Sequence, residues 1–195
     1  MKTLIVHTDV TTDPKLVWRA KPDDPGRPRL LRLCLRLRSE TAPPGDRVLI
    51  IAQDAPAPLE GYPVPGIDGG YVARHGVQLH DAMLVVAQLF PRIERVVAYA
   101  ADFHRKVIEQ AAADAGLPWP FSKELWWCAM RNATDLVRVP REAPGGGYAF
   151  PKMTVAYEHF SGQPLNLPAD PIAAGHATLR AIEVIARGIQ EHRSL

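Results

Sequence analysis

A chain of 195 residues with 47% hydrophobic content is long enough to bury one sizeable core and lies within the usual size of a single domain, so residues 1–195 read as one unit. Lys and Arg number 23 against 21 Asp and Glu, so bulk charge neither demands nor excludes a polyanionic partner, and a nucleic-acid reading must rest on local patterning. Cys34 and Cys128 are the only cysteines, which excludes a disulfide framework and a C-x-x-C metal pair and makes a reducing cytoplasm the expected compartment.

The opening MKTLIVHTDV carries an apolar run shorter than a signal-peptide core, and no later segment reaches bilayer-spanning length, so no membrane association is expected. Thr3 to Thr11 is β-branched and ends at the turn-like Thr12-Asp13-Pro14, which predicts a strand inside the sheet. In Leu31 to Arg38 strict alternation places Leu31, Leu33, Leu35 and Leu37 on one face of a second strand and Arg32, Cys34, Arg36 and Arg38 on the other. Val48 to Ala52 predicts a third, joined to the second by a Pro43-Pro44-Gly45 turn in an antiparallel meander. Prolines cluster in Pro14 to Pro28, Pro43 to Pro65 and Pro140 to Pro151, and these stretches are expected to be loops, because proline lacks the backbone donor that a central strand or helix interior needs.

His80 to Phe90 shows a helical stripe closed by Pro91, and Val96 to Ala101 predicts a strand leading into a helix from Phe103 that stops at Gly116. Helices are also predicted over Ala129 to Val137 and Pro151 to Phe160, the latter stopped by Gly162. The longest begins at Asp170-Pro171 and carries Leu179, Ile182, Ile185 and Ile189. A meander followed by alternating helices and strands predicts an α/β or α+β mixed sheet with helices packed on it.

Several short stretches, in order along nearly the whole chain, resemble the proofreading-type DEDD exonucleases with a catalytic histidine (DEDDh). Thr8-Asp9-Val10-Thr11-Thr12 is similar to that family's Asp-x-Glu-Thr-Thr, and Arg74-His75-Gly76-Val77 to its Ile-His-Gly-Ile. Tyr99 to His104 resembles its His-Asn-x-x-Phe-Asp. Met130 to Leu136, Pro151 to Met153 and Tyr157 to Phe160 resemble its middle helices, and Ala169 to Thr178 resembles its His-Asp-Ala-x-x-Asp-x-x-Ala-Thr. The resemblance implies a ribonuclease-H-like mixed five-stranded sheet flanked by helices. It also implies nucleic-acid contacts at Thr11, Thr12, His75, Tyr99 and Phe103.

Family members hold two divalent ions between four carboxylates, assisted by a histidine. The matching positions here are Thr8, Val10, His104, Ala169 and Ala174, none of them acidic. Val10, Ala169 and Ala174 offer no donor, Thr8 offers a neutral hydroxyl, and imidazole suits zinc or copper better than magnesium. The expectation is therefore a catalytically inactive relative without cofactor, serving as a single-stranded nucleic-acid-binding or protein-interaction subunit. Its rival is an active 3'-5' exonuclease using Mg or Mn at a site rebuilt from Asp9, Asp102, His104, Asp170 or His176, and a third possibility is a purely structural homo-oligomer.

The remaining polar residues are read conservatively. Asp9 should point to the face opposite Thr8 and Val10, and Asp102 and Asp170 look like helix N-caps. His104 and His176 lack a third zinc ligand, and His75 reads as an exposed loop residue. The Arg32, Arg36 and Arg38 row is expected to be the solvated or edge-protecting face of its strand rather than a phosphate track. Trp126 and Trp127, with Trp119 and Phe121 nearby, are expected in a core or hydrophobic interface rather than as base-stacking platforms. Gly145-Gly146-Gly147 lacks a preceding strand and a P-loop lysine and reads as a flexible loop.

Overall fold

A computed structural model describes residues 1–21, 24, 26–53, 64–89, 92–118, 122–141 and 146–194. Phe90, Pro91, Trp119, Phe121 and Gly145, and part of each proline-rich stretch, lie outside the described residues. The elements in chain order are β1 (Thr3–Val10), β2 (Leu30–Arg38), β3 (Gly45–Ile51), α1 (Gly69–His75), β4 (Gly76–Val77), α2 (Leu79–Leu89), β5 (Arg95–Ala98), α3 (Ala101–Asp114), β6 (Trp126–Cys128), α4 (Ala129–Val137), α5 (Met153–Ser161) and α6 (Pro171–Arg193). One 3-10 turn, Pro14–Trp18, follows β1, and another, Lys123–Leu125, precedes β6.

The strands form one mixed sheet in the order β4-β3-β2-β1-β5-β6. The predicted meander holds, with β1, β2 and β3 antiparallel, while β5 runs parallel to β1, β6 parallel to β5, and β4 parallel to β3. The sheet has six strands rather than five because β4 adds a two-residue rung at one edge. Neither β4 nor the three-residue β6 is long enough to show alternation, so each is defined by the neighbour it bonds to. The stretch ending at His75 is likewise the helix α1 rather than a loop. Asp68 caps it by accepting from Tyr71 N at 2.6 Å, and Val72 anchors it in the core.

Helices cover both faces. Beneath α2 and α3, Leu4, Val6, Val10, Leu33 and Leu35 pack with Met83, Val86, Val107 and Ile108. Across the other face α6 lays Leu179, Ile182, Ile185 and Ile189 on Ile5, Cys34 and Val97, with α4 and α5 alongside. Each fully buried aliphatic side chain contributes about 1.5–3 kcal/mol relative to exposure, so this four-residue stripe is a main source of α6 docking.

That docking corrects the expectation for β2, whose arginine face is covered by α6 instead of solvated. Arg32 is 5% exposed, and Arg36 is paired with Asp46 and Glu183. The alternation also breaks at its first residue. Asp9 opposes Arg32 but Val10 opposes Leu30, so Leu31 is the extra residue of a bulge. It leaves the Leu33 face and packs with Ile50, Val64, Ile67 and Val72.

The helix ends follow their local chemistry. Gly116 adopts φ +68°, and the bonds from Gly116 N to Ala113 O and Leu117 N to Ala112 O close α3 in a Schellman motif. Asp170 caps α6 by accepting from Ala173 N at 2.7 Å, with Pro171 at the first helical position. Asp102, however, is no cap. It lies inside the first turn of α3, after Ala100, and is paired with Arg131.

Close approach is tightest at Gly188 of α6, where an added Cβ would lie 2.5 Å from Phe160 Cδ1 and 3.0 Å from Phe160 Cβ. Gly188→Ala gains about 1 kcal/mol of helix propensity but overpacks the α5–α6 contact by about 1–3 kcal/mol. A net fall in the urea midpoint is expected, and a rise would mean that Phe160 moves aside freely.

Candidate functional site

The carboxyl ends of β1, β3 and β5 lie at one edge of the sheet, because β5 is parallel to β1 and the meander returns β3 to the direction of β1. Such an edge is where α/β sheets place ligands. The pairing of β1 with β5 runs only from Thr3 to Ile5, whereas β1 continues to Val10. Beyond Ile5, β1 has no strand partner on its β5 side, and the Thr8 amide donates to a side chain instead.

His104, in the first turn of α3, fills that gap. Its Nδ1 lies 3.1 Å from Thr8 N and 2.8 Å from Thr8 Oγ1. A backbone N–H can only donate, so Nδ1 carries a lone pair and the ring proton resides on Nε2. The Thr8 hydroxyl then donates to the same nitrogen. His104 is 4% exposed. Burial, and then the neighbouring His7, hold its pKa well below the usual histidine range against an opposing pull from Asp9, so the ring is neutral. The His7 and His104 rings stand 4.9 Å apart.

Asp9 points to the opposite face from Thr8, as the one-residue step requires. Arg32 Nε donates to Asp9 Oδ2 at 2.7 Å, and Arg32 Nη1 donates to Pro171 O at 2.7 Å, joining β1 and β2 to the first turn of α6. His7 Nε2 lies 3.4 Å from Asp9 Oδ1. Burial alone would raise the Asp9 carboxyl, but His7 and Arg32 outweigh it and hold it far below the usual carboxylate range.

Of the five positions matched to the family's catalytic residues, Thr8 and His104 are in contact. Val10 is buried beneath α2 and α3, Ala174 is buried on α6 across the other face, and Ala169 is exposed just before α6. The residues considered for a rebuilt site have separate partners. Asp9 binds Arg32, Asp102 binds Arg131, Asp170 caps α6, and His176 Nδ1 lies 3.3 Å from Asp46 Oδ2 over β3. Among the described residues no three His, Cys, Asp or Glu side chains are grouped to hold a metal ion.

The implied nucleic-acid contacts divide by accessibility. Thr11 is buried and accepts from Arg29 N at 3.1 Å, and Tyr99 is buried with its hydroxyl donating to Pro151 O at 2.7 Å. Burial, and then Cys128, raise the Tyr99 pKa, so the hydroxyl keeps its proton. Thr12 and Phe103 are half-buried, and His75 is exposed with its ring 4.4 Å from that of Tyr71. Thr12, His75 and Phe103 follow or flank the ends of β1, β3 and β5 and so share the carboxyl edge.

Sequence reasoning missed a cavity of about 280 Å³ at the same edge, lined by Arg27, Arg29, Leu30, Gln53 and Leu79 among others. Arg27 is paired with Asp114 at 2.6 Å, while the Arg29 guanidinium has no partner among the described residues. Both arginines sit in a proline-rich stretch without periodicity, and nothing local marks them as cavity-lining.

No protein-family model and no curated protein matches the chain. Solved structures do. The nuclease domain of 3'hExo, described as a DEDDh family member bound to rAMP, superposes with a TM-score of 0.63 at 12% identity, over 97% of this chain and 92% of that one. The fold is that of the DEDDh exonucleases. E. coli Exonuclease I in complex with a dT13 oligonucleotide gives a TM-score of 0.61 at 14% identity over 98% of this chain, and a product-bound exonuclease I gives 0.60 at 15% over 97%. The chain spans 42% and 45% of those two structures, so its DEDDh fold corresponds to less than half of each.

Proposed function

We propose that this chain is a catalytically inactive protein of DEDDh fold that binds single-stranded nucleic acid at the carboxyl edge of its sheet. The observation that carries this reading is the closure of that edge by internal partners: a neutral Thr8–His104 hydrogen-bonded pair on one side and the Asp9–Arg32 ion pair on the other. Two hard divalent ions need several free oxygen ligands. The Thr8 hydroxyl is committed, His104 supplies nitrogen, Val10 and Ala174 supply nothing, and Asp9 already faces a guanidinium that a metal would have to displace. These residues do not fit a two-metal centre.

Binding is supported by exposed His75 and half-buried Thr12 and Phe103 at the edge that also holds the Arg27–Arg29 cavity, where Asp114 engages Arg27 and the Arg29 guanidinium stands next to an apolar wall. It is also supported by the oligonucleotide complexes of the Exonuclease I neighbours. Purified protein with Mg²⁺ or Mn²⁺ is expected to leave labelled single-stranded DNA and RNA intact. It is expected to retain them in complexes that weaken as salt rises, because phosphate contacts release counterions. Metal-dependent shortening from the 3' end that co-purifies with the protein would overturn inactivity. Failure to retain either strand at low salt would overturn binding.

A further inference from the structure

At the opposite edge of the sheet, where β1 and β5 begin and β2 ends, a cavity of about 180 Å³ is lined by Arg38, Arg95, Arg187 and Glu183 over the apolar side chains of Ile5 and Val97. Glu183 is its one acidic lining residue among those described, and that carboxylate is shared. Oε2 lies 2.8 Å from Arg36 Nε, while Oε1 lies 2.8 Å from Arg38 Nε and 3.6 Å from Arg187 Nη2. Arg36 makes no directed bond through Nε despite that distance, and its hydrogen bonds run instead from Nη1 to Asp46 at 2.9 and 2.7 Å. The cavity lining therefore holds three guanidiniums, those of Arg38, Arg95 and Arg187, against the single carboxylate of Glu183, which Arg36 also shares from outside the lining. Arg95 has no side-chain partner among the described residues, and Arg38 meets Glu183 through Nε.

Three guanidiniums lining one small volume with an apolar floor suit a tetrahedral oxyanion, because each offers paired donors and the floor weakens screening. We infer that this cavity binds a phosphate group. The same chemistry recognises free inorganic phosphate and the terminal phosphate of a nucleic-acid strand. The site lies at the other end of β1 from Thr8 and His104, so it stands whether or not the carboxyl edge binds nucleic acid.

Calorimetric titration of the full chain with inorganic phosphate, at ionic strength matched with chloride, tests the inference. Phosphate is expected to bind, with affinity falling about tenfold or more in Arg95→Gln and Arg187→Gln, as loss of a charge-assisted bond implies. It should be nearly unchanged in Arg180→Gln, which removes the same charge from an exposed position of α6 outside the cavity. Phosphate heats no greater than those of chloride, or an equal loss in Arg180→Gln, would overturn the site. A phosphate-dependent rise in wild-type Tm gives a readout free of any variant's folding. If a 5'-phosphorylated oligothymidylate binds more tightly than its 5'-hydroxyl counterpart, and Arg95→Gln abolishes the difference, the natural ligand is a strand end. Equal binding of the two, with phosphate binding retained, assigns free phosphate.

Discussion

Arg32→Met is expected to destabilise the protein by about 3–5 kcal/mol, the usual consequence of removing one partner of a buried ion pair. Arg32 is 5% exposed and joins three elements through Asp9 Oδ2 and Pro171 O. Methionine replaces its volume but leaves the Asp9 carboxylate facing only His7, and leaves the Pro171 carbonyl without its donor. The double variant Asp9→Leu/Arg32→Met removes both charges, and replacing both members of such a pair by apolar groups is often neutral or stabilising. It should therefore recover most of the loss. Urea denaturation of the wild type, both single variants and the double variant closes the cycle. A loss below about 1 kcal/mol in Arg32→Met, the level of an exposed pair, would show that the pair is solvated.

The second large effect falls on His104 and on the acid limb of stability. His104→Leu strands the buried Thr8 amide, a penalty of about 1–3 kcal/mol at neutral pH. The sign of the pH dependence follows from the direction of the shift. His104 has a folded pKa well below its ordinary 6.5, so the unfolded chain takes up the proton first and stability is lost as pH falls from about that value. Asp9, also lowered, from 3.8, contributes stability that is complete above that value and is lost only below it. Acid unfolding should therefore proceed in two windows, the first beginning near pH 6.5 and the second near 3.8. His104→Leu should flatten the first window and leave the second. A first window of unchanged slope in that variant would show that His104 does not govern it.

Each of these results bears on the same physical question, whether the end of β1 is a sealed internal joint or an open site. A sealed joint resists metal, loses stability when Arg32 or His104 is cut, and weakens in acid. An open site would tolerate both substitutions and bind Mg²⁺ or Mn²⁺.

The sequence by itself determined the secondary structure wherever periodicity was long enough to be read. This holds for the meander, the helices at α2 and α4, the Asp170-Pro171 start of α6 and the glycine stops after α3 and α5. The order of its motifs identified the fold, and the missing carboxylates were visible as letters. Only the tertiary structure decided what replaced them. Thr8 and His104 are separated by 96 positions, and Arg32 and Pro171 by 139, so no local pattern marks either contact. The same holds for the arginine face of β2, whose neutralising acids come from β1, β3 and α6. Alternation reports which side chains share a face, because that follows from backbone geometry. What lies against that face depends on which distant segments the chain folds back upon it.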